Sequence, residues 1–391
     1  MCIEEIVRVL SKQGKYICEL FPAGRKVIIW GCGIIGVEIA NILDAYGMLD
    51  GFIDNDKKKQ EAGWKTYSVY SEEDFFACGK DSFIVIAANK KNTIEINEKL
   101  LSKGYKKNKD FDEAEHFFNA TFPYVSFYGF NKMYVELAQI CLTERCTLNC
   151  KKCAHGCNRV PMGHEDMAWE IIKRSADYFF AKVDFVREFV LIGGEPFLSK
   201  ELNNAIKYIG EKYRNQIGVF SITTNGTIIP AEEIIVNCKK YDVTIRISDY
   251  KSSIPRLEKV FKKFDAATDG VKKLVWETNA VDSWYDYGFG EIDNGEEIKT
   301  LCRVFQRCHT SCREVRDNRY YYCVMARSIS ENCGYNIGLD EYYDLSIDED
   351  KERLFAYEMG YIPNGYLSMC RYCRGADAME FLIPAAEQEK G

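Results

Sequence analysis

MYVELAQICLTERCTLNCKKC, residues 133–153, places two signals in one short span. The opening run MYVELAQI has the β-branched, aromatic and apolar content of a strand. Directly behind it Cys146, Cys150 and Cys153 follow in CxxxCxxC spacing, with Cys141 and Cys157 just outside. A closed structural zinc site wants four ligands, whereas three thiolates on a cubane of four irons leave one iron open to something else.

Working outward, strand-like runs alternate with amphipathic helical ones: AWEIIKRSADYFF, VREFVLIGG, LNNAIKYIGEKY, IGVFSITTNG, AEEIIVNCKKY, VTIRISDY and SIPRLEKVFKKF. That alternation predicts a parallel sheet with crossover helices, able to curve into a barrel or part of one. Functional residues then belong at the carboxyl ends of the strands. The cysteine triplet follows the first strand, GGEP the second and TNG the third, so three motif-bearing loops share one rim.

The chain has 391 residues, more than one hydrophobic core usually organises, and two or three domains are expected. Net charge is -7, from 52 basic and 59 acidic residues, with no long block of either sign. Nothing in that balance marks a nucleic-acid surface. MCIEEIVRVL lacks the features of a signal peptide, and no window of about 18 uncharged apolar residues exists. A cytoplasmic protein without a membrane partner is expected. Seventeen cysteines in such a chain argue for metal or redox chemistry over disulfides. Two regions are dense in them, Cys141 to Cys157 and Cys302 to Cys373.

Before these regions, RKVIIWGCGIIGVEIANIL is a β-branched run broken by glycines and followed by a helical period, and GMLDGFID and SFIVIAAN read as further strands. Residues 1–118 are therefore expected to form an α/β domain of doubly wound, Rossmann-like type, with the polar stretch YKKNKDFDEAEHFFN, residues 105–119, as its boundary. Gly31, Gly33 and Gly36 follow a strand and open a helix, and Asp54 ends the next strand. That context suits a dinucleotide: tight turn, close phosphate approach, helix amino terminus and a carboxylate for ribose hydroxyls. NAD, a nucleotide-linked sugar, or a retained fold with no ligand all remain open.

CTLNCKKC together with GGEP resembles the radical SAM superfamily over residues 133–290. The resemblance implies a central partial (β/α)6 TIM-type barrel, with Cys146, Cys150 and Cys153 holding a [4Fe-4S] cluster whose fourth iron binds S-adenosylmethionine (SAM). Gly193, Gly194 and Glu195 would meet the methionine moiety, and Thr223, Asn225, Arg246 and Ser248 sit where the family places ribose and carboxylate contacts. One departure is visible: the residue before the third cysteine is commonly aromatic, and here it is Lys152. Zinc at the triplet and a plain strand-ending turn at TTNG are the bland alternatives. Cys141 and Cys157 are expected as buried thiols, and His155 and His164 as loop or surface histidines.

The segment 300–391 resembles the SPASM and twitch extensions of the same superfamily. RDNRYYYC reads as a hairpin ending in Cys323, and LSMCRYC supplies a distant CxxC. One auxiliary [4Fe-4S] cluster on Cys312, Cys323, Cys370 and Cys373 is implied, with Cys308 the rival for the first position; a zinc ribbon is the alternative. The family then implies cleavage of SAM to a 5'-deoxyadenosyl radical, an electron donor such as flavodoxin or ferredoxin, and oxidation of a small molecule: a sugar, cyclitol or nucleotide-linked sugar. Without electron return the outcome would be epimerisation or rearrangement; maturation of a ribosomally made peptide is the second reading, and a non-catalytic iron–sulfur or zinc nucleotide sensor is a third.

Overall fold

The computed structural model describes residues 3–160, 164–276, 283–308, 310, 312–339, 341–347 and 350–389. The chain divides into two compact units, Met1–Glu136 and Leu137–Gly391. Among the described residues, no helix is long and apolar enough to cross a membrane.

In the first unit, β1 (Val27–Trp30), β2 (Leu49–Ile53), β3 (Val69–Tyr70), β4 (Phe83–Ile86) and β5 (Phe111–Glu113) pair in parallel in the order β3-β2-β1-β4-β5. Every residue of β1 and β4 is buried. Continuous apolar runs of this kind suit inner strands of a parallel sheet covered on both faces. Ile28, Trp30, Ile84 and Ile86 pack with Phe75 and Leu100, which come from the helices Glu72–Ala77 and Lys90–Ser102. The stretch 105–119, read above as a boundary, instead supplies β5 and the start of a helical segment running on from Ala114. β5 is an edge strand of three residues whose only apolar side chain is Phe111, so it shows no alternation to read.

The second unit is built on an eight-stranded sheet. β6 (Tyr134–Cys141), β7 (Phe185–Ile192), β8 (Ile217–Thr224), β9 (Val243–Ser248) and β10 (Lys273–Trp276) follow one another in space as in sequence. The helices Trp169–Lys182, Leu202–Lys212, Glu232–Lys240 and Leu257–Ala267 make the crossovers. The pair β11 (Ser283–Tyr285) and β15 (Leu382–Pro384) forms a separate two-stranded sheet. Six strand–helix repeats were expected, and five parallel strands come from that series. The sixth parallel neighbour, on the free edge of β6, is β12 (Arg313–Arg316), the first strand of the RDNRYYYC hairpin. β12, β13 (Arg319–Tyr321) and β14 (Tyr342–Asp344) continue the sheet in antiparallel fashion. Asp317 turns the hairpin with a φ of 57°, a conformation Asp tolerates better than most residues.

Candidate functional site: two cysteine groups and a glycine-rich turn

The loop after β6 and the turn after β7 interlock through their backbones. Gly194 N donates to Thr143 O at 2.8 Å and Glu195 N to Arg145 O at 2.9 Å. A Cβ on Gly193 would stand 2.4 Å from Thr143 O, and one on Gly194 would stand 2.4 Å from Arg145 O and 2.9 Å from Cys146 Cβ. Two glycines are thus required by the closeness of the cysteine loop itself. The turn after β8 joins the same point. Glu195, fully buried, accepts from Thr224 Oγ1 at 2.8 and 2.9 Å, from Asn225 N at 2.9 Å and from Phe197 N at 3.2 Å. Asn225 Nδ2 donates to Cys146 Sγ at 3.5 Å and to Thr147 Oγ1 at 3.2 Å.

Not every expected contact lies in this cluster. Thr223 is half-buried and pairs across the sheet with Arg246. Arg246 forms a buried two-pronged ion pair with Glu188, Nη2 to Oε2 at 2.9 Å, and Ser221 Oγ donates to the same carboxylate at 2.7 Å. Ser248 is hydrogen-bonded to Tyr250. Tyr250 itself went unnoticed in the sequence. Burial first, and then the nearby Cys150, Cys153 and Cys146, push its phenol up. Its ring meets Trp284 edge-on at 5.6 Å. Lys152 takes a φ of 56° and pairs with Asp286 and Glu291. The aromatic surface beside the three thiols therefore comes from Tyr250 and Trp284, which pack with Leu148 and Cys150.

The electrostatics of the triplet are those of a site for a cation. Burial first, with smaller contributions from Glu195 and the other two thiolates, pushes Cys146 up to about 12, and burial with Cys153 pushes Cys150 up to about 11. Cys153 is held below the ordinary thiol value by a hydrogen bond from Cys157 and by backbone N–H groups of Cys157, His155 and Gly156. Glu195 is pushed up to about 7 by burial, against the hydrogen bonds from Thr224, Asn225 and Phe197. Three soft sulfur donors whose mutual repulsion a bound cation would relieve fit an iron–sulfur cluster. Cys141 is a buried thiol, as expected. His155 lies half-buried in the loop with its Nδ1 shielded and unpartnered, and His164 Nδ1 is likewise shielded.

A second group gathers Cys308, Cys312, Cys323, Cys370 and Cys373. Burial dominates all five shifts and takes Cys323 and Cys370 up to about 12. Cys308 raises Cys312, Cys323, Cys370 and Cys373, whereas Cys312 acts on Cys323. Asn294 Nδ2 clamps the CxxC turn, donating to Cys370 O at 2.8 Å and Cys373 O at 2.9 Å. Tyr287 is raised by burial and then by Cys373, Cys308, Cys312 and Cys323. Among the described residues, no three His, Cys, Asp or Glu side chains converge on an ion-sized point. A cavity of about 530 Å³ is lined by Cys153 of the first group, Tyr287 beside the second, and Phe289, Asp286, Lys152 and Arg159.

In the first unit the glycine fingerprint and its carboxylate meet. Gly31, with a φ of 118°, would place a Cβ 2.4 Å from Ala87 O, and Gly36 would place one 1.8 Å from Gly31 O. Before Gly33 there is open space. Asp54 Oδ2 accepts from Cys32 N at 2.8 Å and Lys59 Nζ at 3.0 Å, and Oδ1 accepts from Asp56 N at 2.9 Å.

Residues 140–287 match the Radical SAM superfamily. Among solved structures, native anSMEcpe with bound AdoMet and Cp18Cys peptide is 20% identical, with a TM-score of 0.25, over 36% of this chain and 42% of that one. SuiB of Streptococcus suis bound to S-adenosylmethionine is 21% identical, with a TM-score of 0.28, over 47% and 44%. BtrN in complex with AdoMet and 2-DOIA is 14% identical, with a TM-score of 0.34, over 64% and 98%. The chain thus spans less than half the length of the first two. No curated protein matches it. The three-cysteine loop locked onto GGEP lies within the stretch 140–287 that matches the Radical SAM superfamily.

Proposed function

We propose that the protein is a radical SAM oxidoreductase that dehydrogenates a sugar, cyclitol or nucleotide-linked sugar. The observation that carries this reading is the junction at Cys146, where the loops after β6, β7 and β8 meet through Gly194 O, Glu195 and Asn225. When bound, an iron–sulfur cluster with SAM supplies reductive cleavage to a hydrogen-abstracting radical, and a second cluster supplies the one-electron oxidation that completes a dehydrogenation. The chain's own task is placement and exclusion of water. Cys146, Cys150 and Cys153 would hold the cluster that activates SAM. Glu195 fixes the loops around the three thiols, and Tyr250 with Trp284 packs beside them.

Cys323, Cys370 and Cys373 with Cys308 or Cys312 would hold the second cluster. The cavity lined by Cys153 and Tyr287 offers stacked aromatic rings, Tyr287 and Phe289 with centroids 5.9 Å apart, beside carboxylates and cations. A polyhydroxylated substrate suits that mixture of flat apolar faces and hydrogen-bonding groups. The strand order of the first unit, with its glycines and Asp54 at the ends of β1 and β2, supports a Rossmann-like fold that recognises a nucleotide, and so a nucleotide-linked form of the substrate. Flavodoxin or ferredoxin is the proposed electron source. Anaerobically reconstituted protein given SAM and a low-potential reductant should release 5'-deoxyadenosine, and Cys146→Ala should abolish the release. Absence of 5'-deoxyadenosine from iron-loaded wild type would overturn the reading.

A further inference from the structure

The last described residues of the chain are laced onto the first cysteine loop. Lys151 N donates to Glu387 O at 2.7 Å, and Glu389 N donates to Asn149 O at 2.7 Å. Between these two backbone bonds Cys150 and Gln388 face each other as an antiparallel bridge. Ion pairs from Lys151 to Glu387 at 2.6 Å and Arg159 to Glu389 at 3.2 Å flank it. The segment is carried there by β15, which is paired with β11, and Ala386 is fully buried against Leu148 and Cys150.

Gln388 turns this lacing toward the sulfur. Its Nε2 donates to Cys150 Sγ at 3.1 Å and to Ala386 O at 2.8 Å, and its Oε1 accepts from Asn149 N at 2.9 Å. The three bonds fix the orientation of the amide. A flipped side chain would set oxygen against a sulfur and a carbonyl, and a donor against an N–H. We propose that Gln388 is a positioning residue for the Cys150 thiolate and sets the reduction potential of the centre held by Cys146, Cys150 and Cys153. This rests on the cluster reading given above.

The physical basis is the charge that the centre gains on reduction. An N–H aimed at a ligand sulfur stabilises the more negative, reduced state, and hydrogen bonds to the sulfurs are among the features that set cluster potentials. Asn225 Nδ2 makes a longer contact of 3.5 Å to Cys146 Sγ. The carboxyl-terminal segment therefore delivers the shorter of these two side-chain amide contacts to the triplet.

The test compares wild type with Gln388→Met, which keeps the length of the side chain and loses its donors, and Gln388→Glu, which keeps the acceptor for Asn149 N and loses the donors. Reduction is followed by EPR-monitored potentiometry in the Cys370→Ala/Cys373→Ala background, so that one centre is read. Both variants should show a reduced-to-oxidised ratio lower by about tenfold at a fixed potential, or about 59 mV for a one-electron couple. Midpoints equal to wild type would overturn the proposal. A variant that fails to hold iron is judged without metal, by hydrogen exchange at Asn149, Lys151 and Glu389. Faster exchange there supports the positioning role, and unchanged exchange overturns it. Wild type that takes up no iron through Cys146, Cys150 and Cys153 would instead bring down the cluster reading itself.

Discussion

Arg327 Nη1 lies 2.7 Å from Glu144 Oε1 with both side chains buried, and its Nη2 lies 3.2 Å from Glu314 Oε2. The guanidinium thereby ties the helix that follows Cys323 to the loop that carries Cys146. Burial pushes both carboxylates up, yet Arg327 and Asn332 hold Glu144 down at about 2, while Glu314 sits at about 6. Asn332 Nδ2 donates to Glu144 Oε2 at 3.0 Å, whereas Glu314 is raised further by the charge of Glu144.

Arg327→Met should consequently cost about 3–5 kcal/mol, because it leaves buried carboxylates without their cation. Chemical denaturation of the metal-free protein would measure it. A loss within a few tenths of a kcal/mol would mean that these carboxylates find water or a proton at little expense.

A second test concerns the first ligand of the second group. Cys308 acts electrostatically on both Cys370 and Cys373, which makes it the rival to set against Cys312. Anaerobically reconstituted wild type should hold about eight irons, and Cys146→Ala/Cys150→Ala/Cys153→Ala about four. In that background Cys308→Ala should lose most of the remainder and Cys312→Ala should keep it. The reverse order would make Cys312 the ligand, and a triple variant holding no iron would remove the second cluster altogether.

Much of this site was legible because its chemistry is local. Cys146, Cys150 and Cys153 fall within eight residues, and GGEP and TNG each end a strand with a clear apolar run. Side-chain direction within a strand was harder to read. Arg246 was expected at SAM, but its pairing with Glu188 depends on which face of β9 it occupies and on what β7 puts opposite. Tyr250 and Gln388 carry no motif. Gln388 meets Cys150 across 238 residues of sequence, held there by the backbone bonds of Lys151 to Glu387 and Glu389 to Asn149. Strands of three residues, such as β5 and β11, are too short to show a period.

Gly33 permits a clean separation of binding from folding. Its φ of -94° is open to any residue, and nothing lies within 4 Å of a Cβ built there. Gly33→Val should leave the thermal midpoint nearly unchanged while weakening binding of NAD or a nucleotide-linked sugar by calorimetry, since the added methyls occupy the space a phosphate would use. If wild type binds neither ligand class, the nucleotide reading of the first unit fails.

Asp54 links the same loop to pH. Burial raises its carboxyl, but hydrogen bonds from Asp56 N, Lys59 and Cys32 N prevail and hold it below the ordinary aspartate value. With the folded pKa depressed, its stabilising contribution is present above the unfolded value and is lost as pH falls through the folded one. Protection of the Cys32 amide, corrected for intrinsic exchange rates, should therefore fall as the solution is acidified below about pH 4. Asp54→Asn should flatten that dependence. An equally steep loss in the variant would assign it to another group.

The last test asks what the second cysteine group does. In the proposed reaction, SAM cleavage uses the CTLNCKKC loop, GGEP and the strand-end contacts, none of which includes Cys370 or Cys373. The double variant Cys370→Ala/Cys373→Ala should accordingly keep the first centre and continue to form 5'-deoxyadenosine. Oxidised product should fall to background, because the substrate radical has no acceptor for its second electron and is quenched or takes hydrogen back. Deuterium placed at the attacked carbon should still appear in 5'-deoxyadenosine, which shows that abstraction precedes the lost step. Asn294 holds the turn through the carbonyls of Cys370 and Cys373, so the backbone there keeps its anchor when the thiols are removed. A folded variant with the first centre intact that made product at the wild-type rate would exclude electron acceptance and leave this group a structural role.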